Sequence, residues 1–166
     1  WPDPTGVAFY GLGNDSLTSE RSAFGLQQTY ATAGARVRPT PWTVLSSAIS
    51  FENFKTANGR GARSTLEAFT PQSAPGLGAK PTYVHTMVSA GIDWRPPAGY
   101  ARRGGLYELA YHNYADREDA NSFDYLQAQL VQHLPILREN WVVSLRAQVQ
   151  TVLHDGDEVP YFLLPS

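Results

Sequence analysis

The sequence predicts an all-β protein whose fold is an antiparallel up-and-down transmembrane β-barrel. Two observations predict it: the strict two-residue alternation within Tyr83–Leu153, and the difference between the two faces that this alternation defines. Successive side chains of a strand point to opposite faces of a sheet. One set of positions is apolar, with aromatic residues near the strand ends, and the other contains Gln, His, Arg, Asp and Glu. An apolar outer band, aromatic borders and a polar lumen are typical of an outer-membrane barrel.

The alternating region contains four predicted strands, which are Val84–Trp94, Leu106–Tyr114, Leu126–Leu134 and Trp141–Val149. These runs are longer than the strands of about 5–6 residues that are usual in globular sheets. They suit a tilted membrane crossing, which needs about 9–11 residues. The side chains predicted to face lipid are Val88, Ile92, Leu109, Leu130, Val143 and Leu145. Those predicted to face the lumen are His85, Asp93, Arg95, Glu108, His112, Gln129, His133 and Arg146.

Three further strands are predicted before this region, at Val7–Gly13, Ser22–Arg38 and Trp42–Phe54. The parity of the apolar positions changes near Tyr30, which predicts either a β-bulge or an aromatic side chain that points into the lumen. The segment Val159–Leu164 is a candidate for an eighth strand. The sequence therefore predicts seven or eight strands that pair with their neighbours in chain order.

The connections between these strands alternate in length. The longer ones are residues 13–21, 55–82, 116–121 and 154 onward, and the shorter ones are residues 39–41, 96–103 and 138–140. Outer-membrane barrels have short periplasmic turns and longer extracellular loops, so the longer set is predicted to be extracellular. Lys55–Thr82, rich in Gly, Pro, Ser and Ala, is predicted to be the most mobile and most exposed part of the chain. A short hairpin arm is predicted there around Arg63–Phe69.

Composition limits the classes of function. The 166 residues suit one domain, spanning 1–166, and the net charge of −2 gives no sign of nucleic-acid binding. The chain has no cysteine, which excludes disulfides, thiolate metal sites and a cysteine nucleophile. No apolar run is long enough for a helix that spans a bilayer. The chain begins at Trp1 without Met or a signal peptide, which predicts a processed protein or an excerpt.

The polar positions suggest a charge network in the lumen rather than a reaction centre. Asp93, Arg95, Glu108 and Arg146 are predicted to pair with one another, because ionisable groups avoid lipid. The histidines are predicted to be solvated, because a metal site would need ligand atoms that converge to about 2.0–2.1 Å from one ion. No metal and no cofactor are therefore predicted.

A catalytic interpretation would combine Asp93 or Glu108 with His112 and a serine such as Ser89 or Ser144. No nucleophile elbow or related motif supports it. The sequence therefore predicts a protein that is not an enzyme.

Several further stretches stand out, which are Phe9–Ser16 (FYGLGNDS), Asp93–Pro97 (DWRPP) followed by Gly104–Tyr107 (GGLY), Leu134–Ile136 with Trp141–Arg146, and Val159–Phe162 (VPYF). In this order along the chain, they resemble the BamA-like bacterial surface antigen superfamily. These stretches are distributed over most of the chain, from Phe9 to Phe162.

The resemblance implies a sixteen-stranded barrel in the bacterial outer membrane, with periplasmic POTRA domains. It implies a function in the insertion, assembly or translocation of outer-membrane proteins. Its partners would be outer-membrane lipid, client outer-membrane proteins and other subunits of the assembly machine. The sequence contains neither POTRA domains nor the family's Arg-Gly-aromatic loop motif. The expectation is therefore the middle part of such a barrel.

Two alternatives stay open. The first is a self-contained eight-stranded outer-membrane barrel that acts as a membrane enzyme, an adhesin or a small-ligand binder. The second is a soluble, lipocalin-like barrel with an apolar interior. A requirement for detergent distinguishes the soluble barrel from the other two hypotheses.

Overall fold

The computed structural model of the chain describes residues 7–11, 21–59, 63–70, 73–96, 101–118, 121–136, 141–153 and 159–163. These residues form one seven-stranded antiparallel sheet that curls into a half-barrel. The strands are β1 (Val7–Phe9), β2 (Ser22–Val37), β3 (Thr43–Asn58), β4 (Thr82–Asp93), β5 (Gly104–Asp116), β6 (Phe123–Pro135) and β7 (Val142–Val152). They pair strictly in chain order, which confirms the predicted meander. Among the described residues, no helix is both long and apolar enough to cross a membrane.

The inner face of the sheet is the face on which the buried aromatic residues lie, and the outer face is the opposite one. Most of the buried apolar residues form one cluster on the inner face, the inner cluster, which comprises Phe9, Phe24, Phe54, Ala74, Tyr83, Tyr114, Phe123, Val159, Tyr161 and Phe162. Most of these residues are aromatic, and their rings meet edge to face or in parallel stacks. Aromatic pairs in both geometries stabilise a core beyond the apolar area that they bury.

The two ends of the sheet differ. At one end, the turn end, short connections join β2 to β3, β4 to β5 and β6 to β7. At the other, the loop end, the inner cluster fills the concave side of the sheet with residues from the strands and from two connecting segments. Thr40 organises the β2–β3 turn, because its Oγ1 accepts a hydrogen bond from the Thr43 amide at 3.0 Å.

Strand β2 contains no bulge. Its register with β3 runs without a break from Phe24 opposite Asn58 to Val37 opposite Leu45. Tyr30 lies opposite Glu52, on the face that carries Phe24 and Leu26. The second of the two predicted explanations for the change in parity is therefore the one observed: an aromatic residue lies on the inner face.

Strand β3 ends four residues later than predicted, at Asn58 rather than Phe54. The first residues of β2 supply its partners, because Phe24 to Gln27 pair with Asn58 to Lys55. Strand β4 then begins at Thr82. The predicted loop of residues 55–82 is therefore shorter, and it spans 59–81.

Three predictions about the connecting segments are wrong. The Arg63–Phe69 region is not a hairpin arm: it contains one helical turn, α1 (Thr65–Ala68), and an isolated parallel bridge between Ala23 and Ser64. The segment after β7 is not an eighth strand, since Tyr161–Leu163 is a 3₁₀-helix. Loop 59–81 is also not the most exposed part of the described chain, because Thr65 and Ala74 are fully buried whereas most of β2 and β7 is exposed.

The corrections at residues 159–163 and at Ala74 share a physical cause. Tyr161 and Phe162 are apolar side chains that the curled sheet can bury, and they pack on Phe24 and Phe54 respectively. The amide of Tyr161 also donates to the carbonyl of Pro75 at 3.0 Å, which ties the two segments together. We refer to residues 73–80 and 159–163 as the cap. Burial raises the pKa of the Tyr161 hydroxyl above its ordinary value.

The described sheet is open at both edges. Strand β1 pairs only with Ser22–Phe24, so the rest of β2 has a neighbour on one side only. Strand β7 pairs with β6 alone, and no described residue of β1 pairs with β7. The predicted connections 13–21, 138–140 and 154–158 lie wholly or largely outside the described residues.

Candidate functional site

The inner face carries every polar side chain that the sequence predicts for the lumen. His85 and Asp93 lie on β4, Glu108 and His112 on β5, Gln129 and His133 on β6, and Arg146 on β7, all with inner-face parity, while Arg95 follows β4. The structure divides these residues into separate groups. His85 and His112 belong to one group, Asp93 and Arg95 to another, and Glu108 to a third.

The first group is a chain of hydrogen bonds across four strands. The side-chain amide of Gln28 donates from Nε2 to Oε2 of Glu52 on β3 at 3.0 Å. The Oε1 of Glu52 lies 2.8 Å from His85 Nδ1, and His85 Nε2 lies 2.9 Å from His112 Nδ1. Both His85 contacts join diagonal neighbours, since His85 itself lies opposite Ser50 and Tyr114.

The carboxylate sets the direction of the first bond in this chain. A carboxylate only accepts hydrogen bonds, so His85 Nδ1 donates to Glu52. The contact between His85 Nε2 and His112 Nδ1 then extends the chain from β4 to β5.

Aromatic rings hold both imidazoles in place. His85 stacks on Tyr114, with ring centroids 3.9 Å apart, and His112 stacks on Tyr125 at 4.5 Å. Tyr114 in turn stacks on Phe123 at 4.8 Å. The result is an array of nearly parallel rings on β4, β5 and β6, which joins the histidines to the inner cluster.

The second group lies at the turn end and is centred on the carboxylate of Asp93. Asp93 is 3% exposed and pairs with two arginines. Arg95 donates from Nε to Oδ1 at 2.8 Å and from Nη2 to Oδ2 at 3.1 Å, and Arg38 donates to Oδ2 at 2.8 Å. The hydrogen bond to Asp93 raises the pKa of the Arg95 guanidinium above its ordinary value. Asp93 thus ties the β2–β3 turn to the end of β4.

The other lumen residues form local contacts. Ser89 donates to Glu108 Oε1 at 2.6 Å, so Glu108 pairs with a serine and not with His112. His133 Nδ1 lies 2.8 Å from Ser144 Oγ, and Arg146 donates to Gln148 Oε1 at 3.4 Å. Of the four charged residues predicted as one network, Asp93 and Arg95 pair with each other, whereas Glu108 and Arg146 make separate contacts in the described part of the chain. The described residues contain no group of three or more His, Asp or Glu placed to hold a metal ion.

Sequence reasoning missed Glu52, Gln28 and Arg38. The alternation of the predicted strand Trp42–Phe54 contained the signal for Glu52, which shares its parity with Ser46 and Ser50. Gln28 and Arg38 gave no comparable signal. The contact of Gln28 depends on the register between β2 and β3, and the contact of Arg38 depends on where the β2–β3 turn places its side chain.

The outer face is apolar and exposed over most of its area. All six residues predicted to face lipid lie on it, and Val88, Ile92, Leu109 and Leu145 are each more than half exposed. Four exposed aromatic residues surround the turn end and form what we call the aromatic belt: Trp42, Trp94, Tyr107 and Trp141. Near the loop end the face becomes more polar, since the Tyr111 hydroxyl donates to Asp124 Oδ2 at 2.9 Å.

No protein-family model matches the chain, and neither a curated protein nor a solved structure matches it.

Proposed function

We propose that the chain forms part of the wall of an outer-membrane β-barrel, with its outer face in lipid and its inner face in a water-filled lumen. The observation that carries the proposal is the contrast between the two faces of the half-barrel. Large apolar side chains on the outer face are exposed, whereas carboxylates, imidazoles and amides on the inner face bind one another. In a soluble barrel the outward-facing side chains would be mostly polar, whereas here they include exposed Val, Ile, Leu and Trp.

The aromatic belt supports this placement. Trp and Tyr are enriched where a membrane meets water, because their rings are apolar and their N–H and O–H groups are polar. The Tyr107 hydroxyl donates to Gln132 Oε1 at 2.5 Å, so its polar end is satisfied at the edge of the apolar surface. The turn end would then meet the periplasmic side and the cap the extracellular side.

The open edges support a larger barrel. Unpaired amides and carbonyls in a hydrocarbon phase cost several kcal/mol each, so spanning sheets close on themselves. The described sheet has two such edges, along most of β2 and along β7. We therefore propose that further strands complete the barrel in the membrane.

The resemblance to BamA-like proteins gives the proposed activity, which is insertion, assembly or translocation of outer-membrane proteins. Two of the segments that carry the resemblance, Asp93–Pro97 and Gly104–Tyr107, meet where the Trp94 amide donates to the Gly105 carbonyl at 3.0 Å. The Asp93–Arg95 ion pair lies within the first of them.

Cysteine labelling tests the membrane placement. The chain has no cysteine, so each introduced thiol is unique. In liposomes, a water-soluble maleimide is expected to label Gln129→Cys and Arg146→Cys and to spare the neighbours Leu130→Cys and Leu145→Cys. A thiol surrounded by lipid is neutral and out of reach of the reagent. Each pair differs by one position along the strand, so each partner is the control for the other. Equal labelling within both pairs would contradict the proposal.

An insertion assay tests the proposed activity. Liposomes that contain the chain are expected to fold an added, urea-unfolded eight-stranded outer-membrane protein several times faster than liposomes of the same lipid alone. Acquisition of protease resistance by the added protein measures the rate, and liposomes with a heat-denatured sample of the chain serve as the control. A rate equal to that in lipid alone would contradict the activity without affecting the labelling result.

A further inference from the structure

The outer face contains a groove that crosses the middle of the sheet. Its volume is about 680 Å³, within the about 300–1,000 Å³ of most small-molecule sites. It extends from Thr43 on β3 to Val149 on β7, and nearly all of its lining is apolar. Five strands at a spacing of about 4.8 Å make its length about 19 Å.

Alternating side-chain sizes produce this groove. Two rows of outer-face residues cross the strands, Ala90–Leu109–Ala128–Val149 and Ile92–Tyr107–Leu130–Ala147. Each row places alanine next to a larger side chain. The three alanines leave a depression, and Leu109, Leu130 and Tyr107 form its walls.

The groove adjoins the aromatic belt, and positive charge lies at the same end of the sheet. Tyr107 belongs to both the groove and the belt, and Ile92 precedes Trp94 by two residues.

The described arginines at the turn end are Arg36, Arg38, Arg95, Arg102 and Arg103. Asp93 pairs with two of them, and Glu108 binds Ser89. Arg103 is exposed and makes no hydrogen bond or ion pair within the described part of the chain.

We propose that the groove holds an acyl chain of an anionic phospholipid and that Arg103 binds its phosphate. The inference rests on the proposed membrane placement and adds a lipid preference to it. The occupant must be apolar along the length of the groove and negatively charged at the belt. A phospholipid of the leaflet at the turn end has this combination, because its phosphate lies at the level where interfacial Trp and Tyr side chains lie.

The dimensions agree with one lipid tail. One leaflet contributes about 15 Å of the hydrocarbon core. Strands of outer-membrane barrels tilt by about 35–45°, so a groove perpendicular to the strands slopes through the leaflet rather than lying flat in it. A groove of about 19 Å therefore spans much of one leaflet.

Fluorescence quenching by brominated lipids tests the proposal. The full chain is used with Trp1, Trp42 and Trp141 replaced by Phe, so that Trp94 is the only indole. The variant is reconstituted in vesicles that contain phosphatidylcholine with chain-brominated phosphatidylglycerol, or phosphatidylcholine with its own brominated form. The brominated phosphatidylglycerol is expected to quench Trp94 with a relative association constant about fivefold higher, the effect of one arginine beside an anionic headgroup.

Two sets of variants separate the headgroup contact from the groove. Arg103→Ser is expected to reduce the ratio to about one, whereas Arg117→Ser, the same change at the loop end, leaves it at about five. Ala128→Leu with Ala147→Leu fills the groove and is expected to lower the ratio severalfold. The control for this pair is Ala115→Leu, which adds the same group on the outer face outside the groove.

Each result decides one point. Equal quenching by both lipids, as expected if the groove serves a protein partner, would overturn the lipid site and leave the membrane placement intact. Quenching by neither lipid would overturn the membrane placement itself. A ratio that persists in the groove-filling variant would show that the headgroup alone is attracted, which overturns the groove as a tail site.

Discussion

Replacement of Phe54 by alanine is expected to lower the free energy of unfolding by about 3–5 kcal/mol, the usual cost of deleting a buried aromatic ring. Phe54 is 2% exposed and joins the sheet to the cap. Its ring centroid lies 5.4 Å from that of Phe162 and 5.9 Å from that of Tyr83. Its removal leaves a cavity between two parts of the chain, and neither part can close the cavity without moving the other.

Phe51 is the matched control. It has the same side chain on the same strand, but it lies on the outer face and is 59% exposed. Phe51→Ala is expected to cost less than about 1 kcal/mol, because no cavity forms. Unfolding of the detergent-solubilised chain by guanidinium, followed by tryptophan fluorescence, measures both variants. Equal losses of stability would mean that the two faces of β3 do not differ in burial.

The Asp93→Ala variant is expected to lose about 3 kcal/mol, the lower end of the range for breaking a buried ion pair. The carboxylate is buried and binds two arginines, which would then lack their common partner. The lower end applies because both arginines are partly exposed, and water therefore compensates part of the loss.

A double-mutant cycle with Arg95→Gln isolates the pair. If the ion pair is the cause, Arg95→Gln destabilises the parent chain but has little effect when Asp93 is already alanine. Arg36→Gln serves as a control. Arg36 lies on β2 near the turn end, as Arg95 does after β4, but it makes no ion pair within the described residues. An equal cost of Arg95→Gln in both backgrounds would assign the loss to some other contact of Asp93.

The meander could be predicted from the sequence because its signals are local. Each strand has a period of two, and each turn contains residues that end a strand, as in Pro39-Thr40-Pro41. The same parity identified the inner and outer positions of β4 to β7, since alternation assigns faces without knowledge of the partner strand.

The contacts between strands could not be predicted in the same way. The bond between Glu52 and His85 requires the register in which Ser50 lies opposite His85, and loop 59–81 connects these two strands. A long loop permits many registers, whereas a tight turn permits few. The cap escaped prediction for a related reason: Tyr161 and Phe162 belong to no periodic pattern, and only the curled sheet provides a surface that buries them.

The contact between Phe9 and Tyr161 has a consequence for the order of folding. The strands that are joined at the turn end, β2 with β3, β4 with β5 and β6 with β7, are close in sequence, so these hairpins can form early. The Phe9–Tyr161 ring pair, in contrast, brings together the first and the last described segments of the chain. Closing so long a loop is entropically costly until the intervening strands have already curled. We therefore expect residues 159–163 of the cap to dock after the strands have curled.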